Sequence, residues 1–289
     1  MNELTSAIET NVTAALAEDI GGGDWTAQLI APALAAGAQV ISRDDAVICG
    51  AAWFNACFRK LDPAVDILWT VSEGARVREG QQLVTLFGSA RALLTGERAA
   101  LNFLQMLSAV ATATRRYVDA IAGTRAKIVD TRKTLPGLRF AQKHAVLTGG
   151  GANHRMGLYD AILIKENHIA AAGGIVQALR EAASIAPPGV WTQIEVETFA
   201  QLRAALDAGA KMILLDNMNI AEMREAVKIA AGRAELEASG GITLDNVREI
   251  ADTGVDRISI GSLTKDIKAV DLRCALTEKR WGLGDWGIR

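Results

Sequence analysis

Arg132, Lys133 and Lys165 fall at or just beyond the ends of strand-like runs, where a repeating βα chain builds its sites, and with Arg155 in the glycine-rich loop between the first two strands they make four permanent cations near one pocket. The strand ends taken without selection are Asp130 with Thr131, Arg132 and Lys133, then Lys165, Glu195, Asp216, Ser239 with Gly240 and Gly241, and finally Gly261 with Ser262. Nearly all are charged or suited to phosphate. The loops Ser239-Gly240-Gly241 and Gly261-Ser262 precede helix-like segments, so backbone N–H groups and a helix N-terminus can meet an anion there. A phosphate monoester carries about −1.5 to −2 at neutral pH, so this many cations match one phosphate plus further acidic groups. Arginine suits carboxylates with its planar fork, and lysine suits phosphate oxygens as a point charge. Glu195 and Asp216 would repel such a ligand unless something stood between, which points to Mg²⁺ or to the hydroxyls of a ribose.

The three histidines, His144, His154 and His168, lie within 25 residues of one another, yet no two are spaced i, i+3 or i+4, so they do not form a helical zinc motif. His144 reads as a surface or packing residue of a helix. His168 closes Lys165-Glu166-Asn167-His168 and reads equally well as a loop hydrogen-bonding group or as a chemical one. His154 follows the glycine-rich run 149–151 and precedes Arg155, which places it to donate to a substrate carboxylate and makes it a possible fifth cation.

Positioning these residues requires a regular scaffold. From about Arg125 onward short β-branched runs alternate with Ala- and Leu-rich segments of helical period: strands over 126–129, 161–164, 192–194, 212–215, 234–238 and 257–260, with helices over 174–184, 199–208, 220–231 and 244–252. Near-continuous apolar strands joined by helices predict a parallel sheet, and six such units in a row predict a barrel, complete or nearly so. The first hundred residues differ. An amphipathic helix over 3–18 precedes strands over 40–48, 65–71 and 76–87 with close turn signals, which predicts an antiparallel sheet or sandwich. A long helix over 97–121 joins the two parts.

Length and composition agree with two domains. The 289 residues are 50% hydrophobic and 22% charged, and 31 Lys and Arg against 33 Asp and Glu leave a net charge of −2, which excludes a general nucleic-acid or membrane-surface binder. The opening segment carries Glu3 and Glu9 and no cation, the wrong sign for a targeting leader, and Cys49, Cys57 and Cys274 form no C-x-x-C pair. Both features predict a cytoplasmic protein with reduced thiols.

With these residues in place, the chain resembles the quinolinate phosphoribosyltransferase family over nearly its whole length. The segments that carry the resemblance are EDIGGGDWTAQLI (18–30), ERAALNFLQMLSAVAT (97–112), DTRKTLPGLR (130–139), GGGANHRMGLYDAILIKENHI (149–169), IEVE (194–197), LLDNM (214–218), EASGGI (237–242) and ISIGSLT (258–264). The resemblance implies an α/β protein with an incomplete, seven-stranded α/β barrel and an N-terminal α+β sandwich domain. The expected division is 1–109 plus 270–289 for the sandwich and 110–269 for the barrel. It implies transfer of phosphoribosyl from phosphoribosyl pyrophosphate to quinolinate, with Mg²⁺, giving nicotinate mononucleotide, pyrophosphate and CO₂. By the same resemblance Arg132, His154 and Arg155 grip the quinolinate carboxylates, Lys133 and Lys165 meet the pyrophosphate, and Glu195 and Asp216 serve the ribose and the Mg²⁺ shell. Thr131 joins the substrate-binding residues, and Ser239, Gly240, Gly241, Ile260, Gly261 and Ser262 are expected around the 5′-phosphate. Arg98 enters only through the resemblance, as a clamp on quinolinate in the neighbouring subunit's site, and this implies a homodimer with shared active sites.

Departures from the family pattern are Leu135 in place of a second threonine, Ala109 in place of glycine, and Leu147-Thr148 in place of a more polar pair; none touches a charge named above. Three other readings compete. Lys165 at a strand end fits a Schiff-base aldolase, the segment 77–87 with its Glu79-Gly80 turn resembles a lipoyl or biotinyl carrier hairpin, and a non-catalytic paralogue associated with molybdate transport would keep the fold.

Overall fold

The structure is a computed structural model that describes residues 3–277. In chain order, α1 (Glu3–Ile20), β1 (Ala35–Ser42), β2 (Ala46–Val47), α2 (Ala51–Leu61), β3 (Asp66–Trp69), β4 (Arg76–Val77) and β5 (Gln82–Ser89) lead into the 31-residue α3 (Ala90–Ala120). Then follow β6 (Lys127–Val129), α4 (Arg139–Thr148), β7 (Ala161–Ile164), α5 (Glu166–Ala172), α6 (Ile175–Ile185), β8 (Trp191–Val196), α7 (Phe199–Asp207), β9 (Met212–Asp216) and α8 (Ile220–Ala230). The chain continues through β10 (Glu235–Ser239), α9 (Val247–Ala251), β11 (Arg257–Ser259), α10 (Ser262–Lys265) and β12 (Leu272–Thr277). No helix among the described residues is long and apolar enough to cross a membrane.

The described residues form two compact units, one of 3–113, 135–149 and 266–277, the other of Thr114–Thr134 and Gly150–Lys265. The expected division, 1–109 plus 270–289 against 110–269, assigns 135–149 to the barrel, whereas here that segment belongs to the first unit. The reason is burial: α4 sets Ala141, Ala145 and Val146 into the same core cluster as Val12 of α1 and Trp53 of α2. The expected tail 278–289 lies outside the described residues.

The first unit is built on a four-stranded antiparallel sheet of order β12-β1-β5-β3, with β2 and β4 paired separately. β1 is the centre, bonded to β12 from Gly37↔Thr277 to Ser42↔Leu272 and to β5 from Ala35↔Ser89 onward. Since β4 pairs with β2 and not with β5, the segment 77–87 is no two-stranded hairpin, and the carrier reading loses its motif. Phe54 packs edge-on against Phe58 and Trp69 with ring centroids 5.0 and 5.3 Å apart, and the indole Trp53 Nε1 donates to Asn11 Oδ1. The three cysteines are free, and burial pushes the Cys57 thiol up to about 12 and Cys274 up to about 11, so neither is a reactive nucleophile.

The second unit carries a six-stranded parallel sheet of order β6-β11-β10-β9-β8-β7. In Ile213, Leu214 and Leu215, β9 shows the continuous apolar run of a strand covered by helices, whereas β8 and β10 also bury the polar Gln193 and Glu237. Those helices start where capping chemistry dictates. In α7 the Thr198 hydroxyl accepts from the Gln201 N–H while the Gln201 amide accepts from the Thr198 N–H, and Asn219 and Glu222 do the same for α8. Leu202, Ala205 and Ala226 then face inward with no exposed surface. Seven strands were expected and six are regular. Beside β6 the chain makes one parallel bridge, Val129↔Ala152, held by Ala152 N–H to Ile128 O at 2.8 Å and Asp130 N–H to Ala152 O at 3.2 Å. The glycines at 149–151 deny that segment regular strand geometry.

One first-unit contact has a measurable consequence. The N-cap of α2 is Gly50, which has no side chain to satisfy the helix, so Glu73 reaches across from the β3–β4 turn and its carboxylate accepts from the N–H groups of Gly50 and Ala51 at 2.8 and 3.2 Å. Burial pushes the Glu73 carboxyl up, but hydrogen bonds from His144, the two backbone groups and Cys49 outweigh it and hold it below its ordinary value. A lowered folded value means that the stabilisation is present above the unfolded value of 4.5 and is lost as pH falls through the folded one. Glu73→Gln is expected to cost about 1 kcal/mol at neutral pH. Urea melts at neutral pH and near pH 4 check this, with the gap between variant and parent narrowing in acid.

Candidate active site

The six parallel strands all end on one side of their sheet, and the residues just past those ends line a cavity of about 410 Å³. The cations Arg132, Lys133, Arg155 and Lys165 are in its wall, together with the carboxylates Glu195 and Asp216 and the polar groups Thr131, His154 and Ser239. Like charge gathered this closely perturbs its members. Burial and the neighbouring Arg132 guanidinium push Arg155 down from its ordinary value, partly offset by Asp160. Arg155 is steered by a donation from Nη1 to Ala161 O at 3.2 Å, where β7 begins.

Glu195 lies on β8 and Asp216 ends β9, so neighbouring strands set the two acids side by side. Burial raises the Glu195 carboxyl, the Asp216 charge raises it further, and Lys165 Nζ, 3.6 Å from Glu195 Oε2, opposes both. Two carboxylates held near each other at a cost are a donor set for a hard cation. Asp216 is in register with Ser239 of β10, and the next residue, Asn217, takes a left-handed φ of 53° and donates from Nδ2 to Asp216 Oδ2 at 3.0 Å. The Lys165 side chain is half exposed and ion-paired, which is not the desolvated amine a Schiff-base enzyme needs.

Two loops depend on glycine for different reasons. Gly240 has φ +102°, and a Cβ there would collide with the Asn217 side-chain amide. Gly261 has ordinary backbone, but a Cβ would come within 2.9 Å of Lys133 Cδ, so the missing side chain is what lets Lys133 lie along the β11 end. Lys133 is fixed further by its N–H donating to Thr131 Oγ1 at 3.0 Å and by Thr264 Oγ1 donating to Lys133 O at 2.8 Å. Gly240, Gly241, Ile260, Gly261 and Ser262 are beyond the cavity wall itself, in the loops that rim β10 and β11. Arg98 is in the first unit, on α3, where it lines a separate cavity of about 390 Å³ with Asn102, Leu135 and Gln142.

The histidines sort cleanly. His144 packs on Trp53 with ring centroids 5.6 Å apart, and His168 Nδ1 accepts the Lys165 N–H at 3.0 Å, tying the start of α5 to the strand end. His154 is buried. Its own N–H donates to Asp130 Oδ1 at 2.9 Å, its Nδ1 accepts the Arg155 N–H at 2.8 Å, and its Nε2 lies 2.8 Å from Gln193 Oε1. Acceptance at Nδ1 fits a neutral ring more closely than a fifth cation. Gln193 Nε2 then donates to Glu237 Oε2 at 3.1 Å, and Arg257 Nε donates to the same oxygen at 3.1 Å.

Sequence reasoning missed Leu163, Leu214, Glu237 and Ser259 in the wall and Gln193 beneath it. A signal for them was present. Each stands two residues before a strand-end residue already singled out: Leu163 before Lys165, Gln193 before Glu195, Leu214 before Asp216, Glu237 before Ser239, Ser259 before Gly261. The period of a strand is two, so each lies one layer deeper on the same face.

Known proteins resemble this chain over most of its length. The quinolinate phosphoribosyl transferase C-terminal domain matches residues 110–275, and its N-terminal domain matches residues 24–108. The chain is 42% identical over 260 residues to a probable nicotinate-nucleotide pyrophosphorylase [carboxylating] of Bacillus subtilis, covering 90% of each sequence. It is 43% identical over 276 residues to the nicotinate-nucleotide pyrophosphorylase [carboxylating] of Mycobacterium leprae, covering 92% of this chain and 96% of that one. Among solved structures, the nicotinate-nucleotide pyrophosphorylase of Francisella tularensis superposes with a TM-score of 0.91 at 43% identity, over 94% of this chain and 96% of that one. Matches of this extent, with both domains in order, place the chain in the quinolinate phosphoribosyltransferase family.

Proposed function

We propose that this protein joins quinolinate to phosphoribosyl pyrophosphate and releases nicotinate mononucleotide, pyrophosphate and CO₂, a step of de novo NAD biosynthesis. The observation that carries the reading is the single cavity that combines four cations with two adjacent carboxylates at the ends of parallel strands. Arg132 and Arg155 meet the adjacent carboxylates of the pyridine, with His154 beside them. Lys133 and Lys165 meet the pyrophosphate, and the rim loops 239–241 and 260–262 offer backbone N–H groups to the 5′-phosphate. We read the sheet, with the bridged segment at Ala152 as its seventh strand, as an incomplete barrel.

The chemistry asked of these residues is electrostatic. Departure of pyrophosphate leaves ribose C1 oxocarbenium-like, so Lys133 and Lys165 stabilise the leaving charge while Glu195 and Asp216 face the developing cation and the ribose hydroxyls. The arginines hold the pyridine nitrogen where it can attack C1. Once ribosylated, that nitrogen is cationic and stabilises the carbanion left on the adjacent ring carbon when CO₂ departs; that carbon then takes a proton from solvent, so no protein base is required to expel CO₂. The oxygen-only donor set of Glu195 and Asp216 fits Mg²⁺, which when bound there supplies charge neutralisation for the pyrophosphate. Arg98 serves a second copy's site in a homodimer, and three free thiols fit a reducing cytoplasm.

The direct test mixes protein, quinolinate, phosphoribosyl pyrophosphate and Mg²⁺ and follows all three products; stoichiometric formation supports the reading, and a folded protein without turnover refutes it in favour of a paralogue with another ligand. Arg132→Ala and Arg155→Ala are each expected to weaken quinolinate binding about 100-fold or more by calorimetry, and micromolar affinity retained in both would overturn the pocket assignment. Arg98→Ala and Arg132→Ala should each be inactive alone. Mixed and allowed to exchange subunits, they should regain about a quarter of the parental sites, since one site of each mixed dimer is then intact. No recovery after verified exchange would place Arg98 outside the neighbour's site.

A further inference from the structure

At the floor of the cavity the buried Glu237, Gln193 and His154 and the partly exposed Arg257 form one chain in which each hydrogen bond dictates the direction of the next. Arg257, on β11, is always a donor, and its Nε points at Glu237 Oε2 on the neighbouring strand, with which it is in register. Glu237 is 1% exposed, and its Oε2, facing the Arg257 donor, is an acceptor. The group of Gln193 that faces it at 3.1 Å must therefore be the amide nitrogen, which turns the Gln193 carbonyl toward His154. A carbonyl only accepts, so the proton on His154 must sit at Nε2, 2.8 Å away. Nδ1 is then bare, and it takes the N–H of Arg155 at 2.8 Å. The cation at one end of the chain thus decides the tautomer at the other and fastens the backbone of a substrate-facing arginine.

One atom in this chain stands out. Glu237 Oε1 is buried without a hydrogen-bond partner, it borders the cavity, and it lies 3.7 Å from His154 Nε2. An unpaired carboxylate oxygen there favours a proton on that same nitrogen, so it reinforces the direction set through Gln193.

We propose that Gln193 and Glu237 are positioning residues: they hold His154 as the neutral Nε2–H tautomer and, through its Nδ1, set the backbone from which Arg155 reaches the substrate carboxylates. The role in substrate binding rests on the proposed reaction, whereas the tautomer does not, and the two are read separately. In full-length protein labelled with ¹⁵N-histidine, His154 is expected to show a non-protonated Nδ1 and a protonated Nε2, its signals assigned by comparison with His144→Gln and His168→Gln. Glu237→Gln keeps an acceptor and is expected to keep this pattern. Gln193→Leu removes the acceptor that faces His154 and is expected to lose it, with the quinolinate KM rising roughly tenfold and kcat changing far less. His154→Ala added to Gln193→Leu should then cost little more than either alone. Wild-type protein with the proton on Nδ1 overturns the proposal without any variant. Gln193→Leu with unchanged tautomer, or with an unchanged KM, overturns it as well, and so does full additivity with His154→Ala. A wild-type Nε2–H pattern in a protein that does not turn over quinolinate would sink the reaction and leave the tautomer assignment standing.

Discussion

Four like charges facing one cavity repel one another, and the second unit is organised around bearing that cost until an anion arrives. Burial and Arg132 both act against the charge on Arg155, and Lys165 is ion-paired with Glu195 3.6 Å away. Parallel strands and the loops tied to them make the gathering feasible: Lys165 follows β7 directly, Arg132 and Lys133 follow β6, and Arg155 is held from the loop before β7 by its bond to Ala161 O. The sheet is also why the acids can share the site. Glu195 and Asp216 come from adjacent strands, at a spacing fixed by hydrogen bonding between them, and their mutual repulsion is countered locally by Lys165.

The rim obeys a different constraint. Anions bound through backbone N–H groups need close approach, which side chains obstruct, and the two loops meet this in two ways. Gly240 supplies a left-handed turn, whereas Gly261 supplies only space, and that space is taken by the Lys133 stem. An alanine at 240 would disturb the turn itself; one at 261 would move a cation. The same residue type therefore marks a conformational need in one loop and a packing need in the other.

Much of this was legible in the sequence. The run Met212 to Asp216 is β-branched or long-chain apolar until an acid stops it, and the observed β9 covers that segment. Thr198-x-x-Gln201 and Asn219-x-x-Glu222 announce two helix starts. What was not legible depended on distance in sequence. Glu73 caps α2 from a turn 22 and 23 residues away, β4 chooses β2 over the adjacent β5, and 135–149 leaves its sequence neighbours for the core of the first unit. Pairing and packing over such separations leave no local pattern. His154 is a subtler case: its type and flanks suggest a donor and a possible fifth cation, whereas the orientation of Gln193, itself set by Glu237 and Arg257, points to a neutral ring.

That neutrality bears on how the site reads its ligand. A doubly protonated imidazole would turn a proton toward the Arg155 N–H and add a further cation to a cavity already under strain, so the backbone of Arg155 would be pushed from its place when charge was densest. A neutral ring avoids this, and the polar chain beneath it replaces adaptability with direction, because no member can reverse without leaving a buried group unpaired. Apolar residues at 193 and 237 would pack the sheet interior at less electrostatic risk, as Leu163 and Leu214 do in the same layer. The polar pair is retained beneath the one residue whose two ring nitrogens must be told apart, and a requirement on stability alone would not single out that place.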